Sequence, residues 1–149
     1  MEKLLIFSFL VMTVNLNAQE KIEPTDQFSI EGKVKNRLNL LIKDLNVFAI
    51  HSIDSVIIYN HLMKPKKTIK QIKGVMLKDI LDKAGIDVSL KLLSEVYITC
   101  IASDNYKVVF SWNEVYNSAI GEKVMILTEA NGKKGNQIPD RIVLLSVAD

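Results

Sequence analysis

The stretch 74–85, GVMLKDILDKAG, constrains the fold more than any other part of the chain. Leu77, Ile80, Leu81 and Ala84 fall at i, i+3, i+4 and i+7, the spacing of one apolar stripe on a helix. Gly85 follows the last of them, where a helix commonly ends in a left-handed residue. Strand-like segments lie on both sides. The spacing therefore predicts a short amphipathic helix that covers a sheet. Asp79 and Asp82, with Lys78 and Lys83 beside them, are expected on its solvated face.

The strands are read from alternation. Phe28, Ile30 and Val34 alternate with Ser29, Glu31 and Lys33, which predicts a half-buried strand with Gly32 as a bulge. Asn36-Arg37 turns the chain into a second strand at 38–42, and residues 44–48 suit one or two helical turns. The β-branched run 55–59 predicts a buried strand ending in Asn60 and His61. Residues 64–73 carry Pro65 and five lysines, which predicts a solvated loop rather than an anion-binding patch. In 95–103, Val96, Ile98, Cys100 and Ala102 alternate with Tyr97, Thr99 and Ile101. Asp104-Asn105 is a two-residue hairpin turn into a partner strand at 106–110. Ser111 and Glu114 have the spacing of a capping box, which starts a short helix ending near Ser118. A strand at 123–129, the Asn131-Gly132 turn, a polar loop at 133–139 and a final strand at 141–147 complete the chain.

Composition bounds the rest. A chain of 149 residues with 48% hydrophobic content supports one ordinary core. A net charge of +2 and 7% aromatic content argue against nucleic acid as a partner. Residues 1–18 have the outline of a secretory signal peptide cut after Ala18. Their apolar run, 4–14, is shorter than the roughly 20 residues a membrane span needs, so no stable span is expected after cleavage. Residues 19–27 read as a linker and 28–149 as the single domain, exported to a periplasmic or extracellular space. Cys100 is the only cysteine, which excludes an intramolecular disulfide. Ile98 and Ala102 share its face, so a buried and inert thiol is expected. His51 and His61 lack metal-ligand spacing, and His51 with Ser52 and Asp54 is sequence adjacency, not a triad.

Four segments in order resemble the molybdopterin-binding domain of the sulfite oxidase family. FSIEGKVKNRLNLLIKDL, 28–45, is similar to that family's opening strand, turn and short helix. GVMLKDILDKAGI, 74–86, resembles its GV-L-x-DLL-x-x-AG helix. ITCIASDNYKVVFSWNEV, 98–115, resembles its strand, hairpin and following helix, and NGKKGNQIPDRIVLLSVAD its closing turn and strand. The resemblance implies a mixed, β-rich α+β fold with short covering helices.

In catalytic members of that family, one cysteine after the strand preceding the GV-L helix holds a pterin-dithiolene molybdenum centre. The matching place here is Asn60 or His61, and neither supplies the soft sulfur such a centre uses. Cys100 falls one strand too late. The family's arginine-rich and glycine-rich cofactor loops are not recognisable. If the resemblance carries a site, its first residues are Asn60 and His61, and its second are Ser103, Asp104 and Tyr106 of the hairpin with Arg141. The expected local partner of Arg141 is Asp140. The function these features imply is an exported, non-catalytic binding module for a small ligand or a protein partner, with no cofactor of its own. The alternative is a molybdopterin-dependent oxidoreductase, or a subunit of one, with divergent cofactor ligation.

Overall fold

The computed structural model describes residues 24–147. The signal peptide expected at 1–18 and most of the linker expected at 19–27 lie outside the described residues. Among those described, the order is β1 (Gln27–Ile30), β2 (Leu38–Leu41), β3 (His51–Tyr59), β4 (Pro65–Met76), α1 (Leu77–Ala84), β5 (Tyr97–Ile101), β6 (Lys107–Ser111), α2 (Trp112–Asn117), β7 (Val124–Ala130), β8 (Lys133–Lys134) and β9 (Leu144–Ser146). Short 3-10 helices at Ile42–Val47, Leu90–Glu95, Gly121–Lys123 and Gly135–Gln137 serve as connections. The architecture is a strand-rich, mixed α+β fold.

The central sheet is antiparallel. β4 lies between β3 and β7, and β7 also pairs with β8 and β9. Two separate ribbons, β1–β2 and β5–β6, complete the strands. β7 is covered on both faces. Its Met125 and Leu127 pack with Ile69, Ile72 and Met76, while Val124 and Ile126 belong to two other apolar clusters. Burial on both sides explains why Val124 to Leu127 is an unbroken apolar run rather than an alternation.

Helix α1 joins these clusters, and its four stripe residues are all buried as the spacing predicts. Ile80 packs with Leu40, Leu45, Val75 and Ile126. Leu77 and Leu81 pack with Phe110, Val115 and Val124. Each such burial contributes about 1.5–3 kcal/mol relative to exposure. The Gly85 N–H closes the helix on the Leu81 carbonyl at 2.8 Å, with a φ of +70° that favours glycine. On the polar face Asp82 and Lys83 are exposed as expected, while Lys78 and Asp79 are half-buried. Asp79 lies 3.8 Å from His51, and the Tyr116 hydroxyl donates to Asp82 at 2.9 Å.

The helix begins at Leu77, so 74–76 belong to β4 and pair with β7. Gly74 serves the sheet: a Cβ there would lie 2.6 Å from the Ile126 carbonyl oxygen. The lysine run is a second correction. Residues 64–73 do not form a loop, because all but Lys64 belong to β4, which pairs with β3. A two-stranded ribbon leaves its lysine side chains in water, so a charge run that keeps a segment solvated does not keep it out of a strand.

Other bounds also differ. The first strand ends at Ile30, and Gly32, with a φ of +96°, sits in a bend. Val34 instead bridges to Ile86. The last strand is only Leu144–Ser146, and Arg141, with a φ of +52°, lies outside the extended region. The 133–139 loop contains β8 and a 3-10 turn, and it buries Ile138.

One backbone feature sets the geometry of the long β3–β4 ribbon. Gln71 has a φ of +51°. The alternation of β4 changes phase there, so Ile69 and Ile72, three residues apart, both face the core. β3 matches it: Ile53 and Val56 both face inward, opposite Ile72 and Ile69. Asn131 pins the kink from the β7–β8 turn. Its side-chain oxygen accepts from Lys70 N–H at 2.9 Å, and its own N–H donates to the Lys70 carbonyl at 2.7 Å.

Candidate groove between two strand edges

A groove of about 520 Å³ is bounded by β1, β5 and the segment 140–144. Its apolar lining includes Phe28, Ile30, Leu77, Leu81, Ile98, Val108 and Leu144. Glu31, Lys33, Thr99, Tyr106 and Asp140 supply polar groups.

Both long banks of this groove are strand edges. Among the described residues, β5 pairs with β6 alone and β1 with β2 alone. The hydrogen bonds Ala102 N–H to Tyr106 carbonyl and Trp112 N–H to Val96 carbonyl, each 2.9 Å, show that even-numbered residues of this strand bond toward β6. Antiparallel alternation then turns the backbone groups of Tyr97, Thr99 and Ile101 to the opposite edge. In β1, Ile42 N–H bonds to the Asp26 carbonyl at 3.2 Å, so Ser29 and Glu31 turn theirs away from β2. These five residues all line the groove.

Cys100 stands in the groove wall and is half-buried. Burial pushes its thiol pKa up, so the sulfur stays protonated at neutral pH. That agrees with the expectation of an inert thiol, although the residue borders a cavity rather than sitting in a closed core.

The residues singled out from the sequence do not converge. Asn60 and His61 lie in the β3–β4 turn. The Asn60 side-chain oxygen accepts from the N–H groups of Leu62 at 2.9 Å and Lys64 at 3.0 Å, so it is engaged in holding the turn. His61 is exposed. Ser103, Asp104 and Tyr106 sit together in the β5–β6 turn, where Asp104 accepts from the Tyr106 N–H at 2.9 Å. Of these three, Tyr106 reaches the groove. Arg141 bonds to Asp26 at 2.6 Å, not to its neighbour Asp140.

The residues at the position matching the family's molybdenum ligand do not fit that group. An exposed turn with an amide already hydrogen-bonded to backbone offers no thiolate, and the one thiol lies on another strand. No cluster of three or more His, Cys, Asp or Glu among the described residues has the arrangement of a metal site.

Sequence reasoning missed Ser29, Glu31, Tyr97, Thr99 and Ile101 as groove residues, because what they present is backbone. One side-chain signal was available. β5 carries Tyr97 and Ile101 on the face opposite Ile98 and Cys100, and both are exposed. Comparison with protein-family models and with curated proteins finds no match to this chain.

Proposed function

We propose that this chain is an exported, non-catalytic binding module that captures an extended segment of a protein partner in the groove between β1 and β5. The carrying observation is that two unpaired strand edges border one apolar groove. An extended peptide laid along β5 would satisfy the outward backbone groups of Tyr97, Thr99 and Ile101. Its alternate side chains would enter the apolar floor around Leu77, Leu81 and Ile98. Main-chain bonds would supply affinity and the floor would supply specificity. An edge left open is otherwise a template for unwanted pairing, which gives it a functional reading.

A non-catalytic role is supported by the chemistry of the wall. A catalytic thiol is activated by a lowered pKa, and Cys100 is shifted the other way. The resemblance to the sulfite oxidase family supports a cofactor-binding scaffold whose metal-binding position is a turn held by Asn60.

Panning the purified chain against a phage-displayed library of short random peptides tests the reading. Selected peptides are expected to alternate apolar and polar residues, to slow hydrogen exchange at Tyr97, Thr99 and Ile101, and to shield Cys100 from thiol reagents. Thr99→Pro removes one outward N–H and is expected to abolish capture while the thermal midpoint stays close to the parent's. Shielding of Cys100 by an apolar dye that no selected peptide displaces would overturn peptide capture in favour of a small ligand. Stoichiometric molybdenum with pterin fluorescence after expression in a cofactor-competent host would overturn the non-catalytic reading.

A further inference from the structure

The β3–β4 turn carries a second surface, remote from the groove in sequence and built from different chemistry. Between Asp54 and Asp79 the chain has no acidic residue, while it has lysines at 64, 66, 67, 70, 73 and 78. Lys73 is paired with Glu129 at 3.0 Å. The lysines at 64, 66, 67 and 70 are exposed. They crowd the distal part of the ribbon, where β4 pairs with β3 and β7 no longer reaches it.

The apex of this basic ribbon is apolar. Leu62 is 62% exposed and Met63 76%, and Tyr59 behind them is 48% exposed. The turn that displays them is ordered by its own hydrogen bonds. Asn60 accepts from two backbone N–H groups through its side chain, its N–H donates to the Lys64 carbonyl at 2.9 Å, and Met63 N–H donates to the Asn60 carbonyl at 2.9 Å. Met63 adopts a φ of +55° within this arrangement. Two large apolar side chains are thus held at the tip, with an aromatic hydroxyl one step back and a collar of cations behind.

We propose that the β3–β4 tip docks on an anionic lipid surface. The order of groups along the ribbon matches the order of layers in a bilayer. Apolar Leu62 and Met63 enter the acyl boundary, Tyr59 sits at the interface, and the lysines meet the phosphates of the headgroups. An acidic protein would also meet the lysines, but it would not call for bare apolar residues at the outermost point. A peripheral mode suits a chain in which no described helix is long and apolar enough to cross a membrane.

Co-sedimentation with phosphatidylglycerol or phosphatidylcholine vesicles tests this. It is run on the full chain and on the chain from Gln19, so that the apolar run 4–14 cannot supply the binding. Binding is expected to phosphatidylglycerol vesicles only, and to weaken as salt is raised. Lys66→Gln with Lys67→Gln should weaken it roughly fivefold per lysine. Leu62→Ser with Met63→Ser should weaken it at least as much with charge unchanged. Both pairs are exposed, and circular dichroism should show the parent spectrum. Failure of the chain from Gln19 to bind phosphatidylglycerol vesicles at low salt overturns the proposal. So does vesicle binding that ignores the Leu62 and Met63 changes. Tighter binding to a polyglutamate peptide than to the vesicles would reassign the surface to an acidic protein partner.

Discussion

The Arg141 guanidinium donates to the Asp26 carboxylate at 2.6 Å, across 115 residues of chain. The pair ties the start of β1 to the segment that leads into β9. Arg141 adopts a φ of +52° there, a conformation uncommon for any residue but glycine. Its neighbour Asp140 borders the groove, so the pair also anchors one groove wall.

Both partners of this pair are more than a third exposed, so water screens it. Asp26→Asn is expected to lower stability by no more than about 1 kcal/mol. Urea denaturation at low and high salt should show the difference shrinking as salt rises.

Gly121 is held to glycine by space. A Cβ there would lie 1.9 Å from the Val115 carbonyl oxygen, which is backbone and cannot swing aside. Gly121→Ala is expected to cost about 2–4 kcal/mol, at the upper end for overpacking. A urea midpoint measurement reads the loss directly. An unchanged midpoint would mean that the connection between α2 and β7 adapts.

The capping box at α2 has both of its bonds. Glu114 N–H donates to the Ser111 hydroxyl at 3.1 Å, and Ser111 N–H donates to the Glu114 carboxylate at 2.6 Å. Ser111→Ala is expected to cost about 1 kcal/mol. The Ser111 backbone bond, with the serine hydroxyl second, holds the Glu114 pKa below its ordinary value. A lowered carboxylate pKa gives stability that is present above the ordinary carboxylate range and lost as pH falls through the folded value. Urea midpoints against pH should therefore drop on the acid side. Glu114→Gln keeps an acceptor and should flatten part of that drop.

At alkaline pH two groups act in the same direction. Cys100 is raised by burial. Tyr116 is raised first by burial and then by its bond to Asp82. In each case the folded state keeps a proton that the unfolded chain loses, near pH 8.5 for a thiol and about 10 for a tyrosine. Stability is therefore full below those values and declines as pH rises past them. Cys100→Ser should remove the earlier part of the decline and Tyr116→Phe the later part. Thiol labelling of the native chain at neutral pH should be slower than in urea.

Local chemistry was legible in the residues. The stripe Leu77, Ile80, Leu81 and Ala84, the stop at Gly85, the Ser111–Glu114 box and the alternation of Ile98 and Cys100 each depend on neighbours within four positions. The sequence also placed the two-residue turn at Asn131-Gly132, whereas the expected two-residue turn at Asp104-Asn105 is a three-residue loop from Ser103 to Asn105, closed by the bond from Ala102 N–H to the Tyr106 carbonyl. The strand in the lysine-rich segment was not legible, because solvated side chains say nothing about backbone pairing. β4 is a strand because β3 and β7 complete its hydrogen bonds, and both partners are distant in the chain.

The candidate site was hardly legible at all. Of Asn60, His61, Ser103, Asp104, Tyr106 and Arg141, only Tyr106 lines the groove. The rest of the groove comes from strand edges, and an edge is defined by which strand is not beside it. Sequence by itself determined which faces of α1 and β5 are apolar, because side-chain periodicity is a local consequence of backbone geometry. Only the tertiary structure decided that β1 and β5 present unpaired backbone across one groove, that Gln71 reverses the phase of β4, and that Arg141 reaches Asp26. Those depend on distant segments meeting, which local spacing does not encode.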